Sequence, residues 1–179
     1  MKTYICFLRA VNVSGQNLIK MAQLKTMFET LGFERVRTYL QSGNVVFDTR
    51  KSDLTALTKQ IQKQILQDFA CDLRLVLKTA DEHSRIVTAN PFLKRKSIDA
   101  KFLHATLLLE ATTASLADRK LPTLEGEEIA QTAEAVYLHL PHGSGRTKLS
   151  NAFFEKALGV GATTRNWYTM TALEELCRT

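Results

Sequence analysis

Between Thr3 and Leu77 the apolar residues switch between strand-like and helix-like spacing, and the resulting order of elements constrains the fold more than any other feature of the chain. Residues 3 to 11 form an apolar, partly β-branched run suited to a strand buried on both faces, followed by a polar loop to Lys20. Met21, Leu24, Phe28 and Leu31 recur at helical spacing, with Gly32 placed to end the helix in a left-handed conformation. Arg35 to Gln41 alternates, and Ser42-Gly43-Asn44 reverses the chain into Val45-Val46-Phe47, a hairpin signal. Leu54, Leu57, Ile61, Ile65 and Phe69 mark a second helix behind Ser52 or Asp53, and Leu73 to Leu77 a fourth strand. Strand, helix, strand, strand, helix, strand is the ferredoxin-like split βαβ order, so residues 1–78 are expected to fold as one α+β half.

Residues 79–179 are expected to repeat the scheme as a second α/β half packed with the first into one compact body. Thr79 and Glu82 form a capping-box pattern for a helix carrying Ile86 and Val87 and stopped by Asn90-Pro91. A strand near Phe102 to Leu109, a helix near Thr113 to Lys120, a hairpin from about Glu127 to Leu140 and a helix from Ser150 to Leu158 follow. Thr171-x-x-Glu174 predicts the start of a last helix. The sheets are expected to be antiparallel or mixed. Only element order supports this duplication, because the halves share no visible sequence similarity.

Composition narrows the functional classes. With 45% hydrophobic and 23% charged residues the chain has enough apolar mass for a core, and three prolines leave little room for a flexible linker. Arg9 and Asn12 interrupt the N-terminal apolar run before it resembles a signal peptide, and no stretch is long enough to span a membrane. Three widely spaced cysteines without a C-x-x-C pair speak against a disulfide framework or a zinc ribbon, so a cytoplasmic protein without membrane partners is expected. Residues 1 to 100 hold 16 Lys and Arg against 9 Asp and Glu, or +7, whereas the remainder holds 8 against 9, or −1, for a net +6. That asymmetry favours anionic partners, from phosphorylated metabolites to nucleic acid.

Three polar segments at the ends of apolar runs are candidate binding elements, expected to line one polar pocket for an anionic small molecule such as a nucleotide or phosphorylated metabolite. The first supplies Arg9, Asn12, Gly15 and Asn17, where backbone N–H groups at a strand-to-helix loop can receive an anion. The second supplies Tyr39 and Gln41, on a strand face shared with Arg35 and Arg37 that could instead meet nucleic acid. The third is Arg165-Asn166-Trp167, in which Trp167 can stack on a ring and Arg165 can grip a carboxylate or phosphate. Gly143, Ser144, Gly145, Arg146 and Lys148 form a further glycine-rich, basic loop that resembles a phosphate cradle. Each group also has a purely structural reading, as caps, turns and core. No established nucleotide-binding fingerprint, metal-ligand set or nucleophile–base pair is present, so catalytic residues and cofactors stay unassigned, as does the oligomeric state.

These motifs carry a resemblance. Leu8 to Gly15, Met21, Val36 to Phe47 and Thr163 to Thr169 resemble, in order and over nearly the whole chain, the bacterial family called domain of unknown function 1697. The resemblance implies a small cytoplasmic α/β protein with duplicated ferredoxin-like halves and no assigned activity. Ala10 and Ser14 stand where the family often has Gly, Gln16 where Lys or Arg is common, and Tyr168 where Arg is frequent. The missing cations weaken an anion site at the first loop and near the C-terminus.

Overall fold

The structure is a computed structural model that describes residues 1–13 and 15–179; Ser14, in the first loop, lies outside the described residues. It divides into two units, residues 1–84 with 173–179, and residues 85–172. Each unit holds a four-stranded antiparallel sheet, and the fold is α+β.

In the first unit the elements run β1 (Lys2–Leu8), α1 (Met21–Thr30), β2 (Glu34–Tyr39), β3 (Asn44–Thr49), α2 (Leu54–Phe69), β4 (Leu75–Thr79) and the opening turns of α3 (Ala80–Thr88). Strand order β2-β3-β1-β4 is the split βαβ topology that the element order predicts. Tyr4, Cys6 and Leu8 of β1 join Val45, Phe47, Leu75 and Leu77 on one face and pack against Leu24, Phe28, Leu57, Ile61 and Ile65 of α1 and α2. Ile5, Phe7, Val46 and Val76 on the opposite face are equally buried, which is why β1 reads as a continuous apolar run rather than an alternating one. Asp53 caps α2 by accepting the Ala56 N–H, and Thr79 and Glu82 close the reciprocal capping box of α3. The first strand ends at Leu8 rather than Val11, because Ala10 and Asn12 take left-handed backbone conformations that no strand accommodates.

The second unit contains β5 (Leu103–Leu108), β6 (Glu128–Gln131), β7 (Ala135–His139), α4 (Asn151–Leu158), β8 (Ala162–Asn166) and the first half of α5 (Trp167–Arg178). Its strand order β6-β7-β5-β8 repeats the first, with β5 in the place of β1 and β8 in the place of β4. Phe154, Ala157 and Leu158 of α4 pack on Leu108, Val136, Leu138 and Ala162. No helix in the described residues is long and apolar enough to cross a membrane.

Two expectations need correction, and one strand is additional to those expected. Residues 113–120 form no helix. The side chain of Gln131 accepts the Leu116 N–H (2.9 Å) and donates to the Ala114 carbonyl (2.6 Å), while Thr112 and Ser115 hydroxyls take the N–H groups of Ala114 and Ala117, so local partners capture the groups a helix would pair. Thr163 to Asn166, for which no strand was expected, form the larger part of edge strand β8. The last helix begins at Trp167, four residues before the expected start, because Asn166 accepts the Thr169 N–H and Thr171 lies inside the helix, bonding back to Trp167.

Candidate functional site

In the first unit, folding brings the first loop against the β2–β3 turn. Asn12 is the joint. Its Nδ2 donates to the carbonyls of Ile19 (3.0 Å) and Gln41 (2.7 Å), and its Oδ1 accepts the Ile19 N–H (2.9 Å). Asn17 Nδ2 donates to the Ala10 carbonyl, and Leu8 N–H to the Gly43 carbonyl, which locks the turn to the end of β1. Asn44, fully buried, holds the turn from below through Tyr39 O and Ser42 Oγ. The amides of Asn12 and Asn17 are thus occupied in shaping the site, while the side chains of Arg9 and Gln41 lie nearer its surface.

Left-handed backbone is concentrated here: Ala10 (φ 57°), Asn12 (54°), Gly15 (76°), Asn17 (49°), Leu40 (56°) and Gly43 (71°). Gly and Asn tolerate this geometry, but Ala10 and Leu40 each cost on the order of 1–2 kcal/mol. Local hydrogen bonding holds that strain in place, a pattern that accumulates at binding sites.

Beside this loop lies a recess of about 220 Å³ lined by Arg9, Ala10, Asn17, Asp72, Leu73 and Arg74. Arg9 N–H donates to the Arg74 carbonyl at 3.0 Å, which zips the start of the loop to the residue preceding β4. Arg9 and Arg74 therefore line one small concavity together with Asp72. Arg74 and Asp72 had no motif to announce them. They lie more than fifty residues from Arg9 in sequence, and only the pairing of β1 with β4 makes them neighbours.

The strand face with Arg35, Arg37 and Tyr39 is largely engaged within the unit. Arg35 pairs with the buried carboxylate of Asp48, which also accepts the Thr3 hydroxyl at 2.8 Å. Arg37 donates to the Leu176 carbonyl and to Thr179 Oγ1. Tyr39 is half-buried.

The other candidates lie in the second unit. Arg165, buried on β8, donates through Nη1 to Thr163 Oγ1 (2.8 Å) and to the Thr164 carbonyl (2.9 Å). Asn166 caps α5, and Trp167 is buried. On the α4 face of this sheet runs a polar chain that sequence reading overlooked: Thr106 Oγ1 to Thr164 Oγ1 (2.8 Å), and Thr164 Oγ1 to Asn151 Oδ1 (2.7 Å). Gly143 and Arg146 form successive turns, with Gly143 N–H bonded to Leu140 O and Arg146 N–H to Gly143 O. Ser144, Gly145, Arg146 and Lys148 are exposed just ahead of α4.

Among the described residues no group of three or more His, Cys, Asp or Glu is placed to hold a metal ion. The model of a family described as Protein of unknown function (DUF1697) matches residues 1–137. The chain belongs to this family. The DUF1697 match spans the first loop, the β2–β3 turn and the second hairpin as far as Tyr137 in β7, and it stops short of Arg165-Asn166-Trp167 and the 143–148 loop. A conserved bacterial protein, SP0830 from Streptococcus pneumoniae, has a similar structure, with a TM-score of 0.68 and 18% identity over 98% of both chains. At that identity the likeness shows the fold. No curated protein matches the chain.

Proposed function

We propose that the protein binds an anionic small molecule through a phosphate or carboxylate group seated in the recess between the first loop and the start of β4. The observation that carries this reading is the presence of Arg9 and Arg74 on the lining of one concavity of about 220 Å³, whose wall includes left-handed backbone at Ala10, where it is strained, and at Asn17. The volume lies below the several hundred Å³ of sites that engulf a whole ligand, so one anionic group enters and the rest of the molecule remains outside. Arginine suits this task because its planar fork can give two hydrogen bonds to one phosphate or carboxylate. Asp72 offsets part of the charge and selects for ligands that also carry a donor.

The basic sheet face is the weaker candidate for nucleic acid, since Arg35 and Arg37 spend their hydrogen bonds on Asp48 and the last turn of α5. Thermal unfolding with inorganic phosphate, pyrophosphate, a nucleoside monophosphate and single-stranded RNA distinguishes the readings. A ligand selective for the native state adds about 2.7 kcal/mol at a hundredfold excess over its Kd. The expected outcome is a raised midpoint with a small phosphorylated compound that disappears in Arg74→Ala. A response to RNA alone that fades steeply with salt would overturn the reading.

A further inference from the structure

We propose that the free edge of β6 is a second binding site, which captures an uncharged, extended peptide segment by strand addition. In the first unit, the connection from β1 to β2 contains α1; the equivalent connection from β5 to β6, residues 109–127, contains no helix and leaves a groove of about 500 Å³ along β6. One wall is the segment Thr112–Ala117 and the other is the edge itself, at Ile129, Gln131 and Ala133.

The direction of the edge groups follows from register. Thr132 donates to the Ala135 carbonyl, and the β6–β7 ladder runs Glu128↔His139 through Gln131↔Val136. In an antiparallel ladder bonded pairs alternate, so Ala130 and Glu128 exchange bonds with β7 while Ile129 and Gln131 turn their N–H and C=O groups outward. On the same outward side the Ala133 carbonyl accepts the Thr112 N–H, but the backbone groups of Ile129 and Gln131 have no partner among the described residues. They lie two residues apart, roughly 7 Å, which matches alternate residues of an extended strand.

The walls define the guest. None of the groove's lining side chains is charged. Thr112 and Ser115 hydroxyls each accept a backbone N–H and retain a hydrogen to donate, while Leu116, Leu121 and Ile129 supply an apolar floor. Edge strands are normally blunted by bulges or cations. The counterpart edge β2 has both, a register shift between Glu34 and Arg37 with Arg35 at φ 45°, whereas β6 keeps regular register and carries no cation. A neutral strand-forming peptide satisfies the four outward groups, and a charged one would lose solvation without gaining a partner.

The test uses the full chain and acetyl-Ser-Val-Thr-Val-Ser-amide as probe, at up to about 5 mM, which suffices for a Kd near 1 mM. Amide hydrogen exchange at Ile129 and Gln131 is expected to slow about tenfold or more on saturation. The same peptide N-methylated at its two valines loses the effect, as does Ile129→Pro followed at Gln131; an edge position with an outward N–H tolerates proline. Should the proline variant fail to fold, the methylated peptide still decides the matter. Unchanged exchange at both amides, equal protection by the methylated peptide, protection confined to another strand, or self-association through β6 in place of peptide capture would each overturn the proposal.

Discussion

Gly43 and Gly15 separate two reasons for a glycine. Both have positive φ, 71° and 76°, so any side chain at either position meets the left-handed penalty of about 1 kcal/mol. A Cβ at Gly15 would meet open space, but one at Gly43 would stand 2.8 Å from Leu8 Cβ, within the core of the first unit. Gly15→Ala is therefore expected to cost about 1 kcal/mol and Gly43→Ala at least twice that. Urea denaturation of the two variants measures the difference, and equal losses would mean that β1 can give way at Leu8. Asn12 belongs to the same scale. It makes three hydrogen bonds from a left-handed backbone, so its conspicuous position in the sequence reflects its role as a brace as well as its place beside the recess.

At the scale of elements, one side chain of β6 holds the middle of the crossover of residues 109–127. Gln131 Oε1 and Nε2 satisfy Leu116 N–H and Ala114 O, replacing the hydrogen bonds that a helix would make. Gln131→Ala is expected to destabilise the second unit by about 1–3 kcal/mol. It should also speed amide exchange at Leu116 while leaving α4 protected. Uniform acceleration across the unit would instead make Gln131 part of the global core. The same segment explains where sequence reading stops. Leu116 and Leu121 do face the core, but the positions of apolar residues say which side chains turn inward, not which partners the backbone between them finds. β8 escaped notice for a related reason: Thr163, Thr164 and Arg165 look solvated by residue type, yet Thr164 is satisfied by Thr106 and Asn151 inside the fold. Elements whose apolar period is undiluted, such as β1, α1 and α2, were legible. So were the polar tips of the first loop and the β2–β3 turn, whereas the facing wall at Asp72 and Arg74 depends on strand pairing that no local pattern encodes.

At the scale of the whole molecule, the repeated strand order uses corresponding positions differently, and this has a consequence for acid stability. The first strand of the first unit is apolar where it meets α1 and α2. Its counterpart β5 places His104 and Thr106 on the α4 face, with His104 paired to Leu138 and Asn166 across the ladder. Burial holds the His104 pKa below its ordinary value of 6.5, only partly opposed by the Phe102 carbonyl, and Nδ1 has no partner among the described residues. Above pH 6.5 the ring is neutral in both folded and unfolded chains and contributes no pH dependence. Below it the unfolded chain binds a proton that the native ring resists, so stability falls with pH by at most about 1.4 kcal/mol per unit until the native ring also titrates. The carboxyls of Asp99 and Glu128 are held low by Lys101 and Arg95, respectively; their contributions are lost only further into acid and are small because both are solvated. Denaturant midpoints between pH 7 and 5 should therefore decline in the wild-type chain and decline less in His104→Gln. Parallel profiles would show that the ring is protonated as readily in the native state as in the unfolded one, and that the acid response of the molecule originates elsewhere.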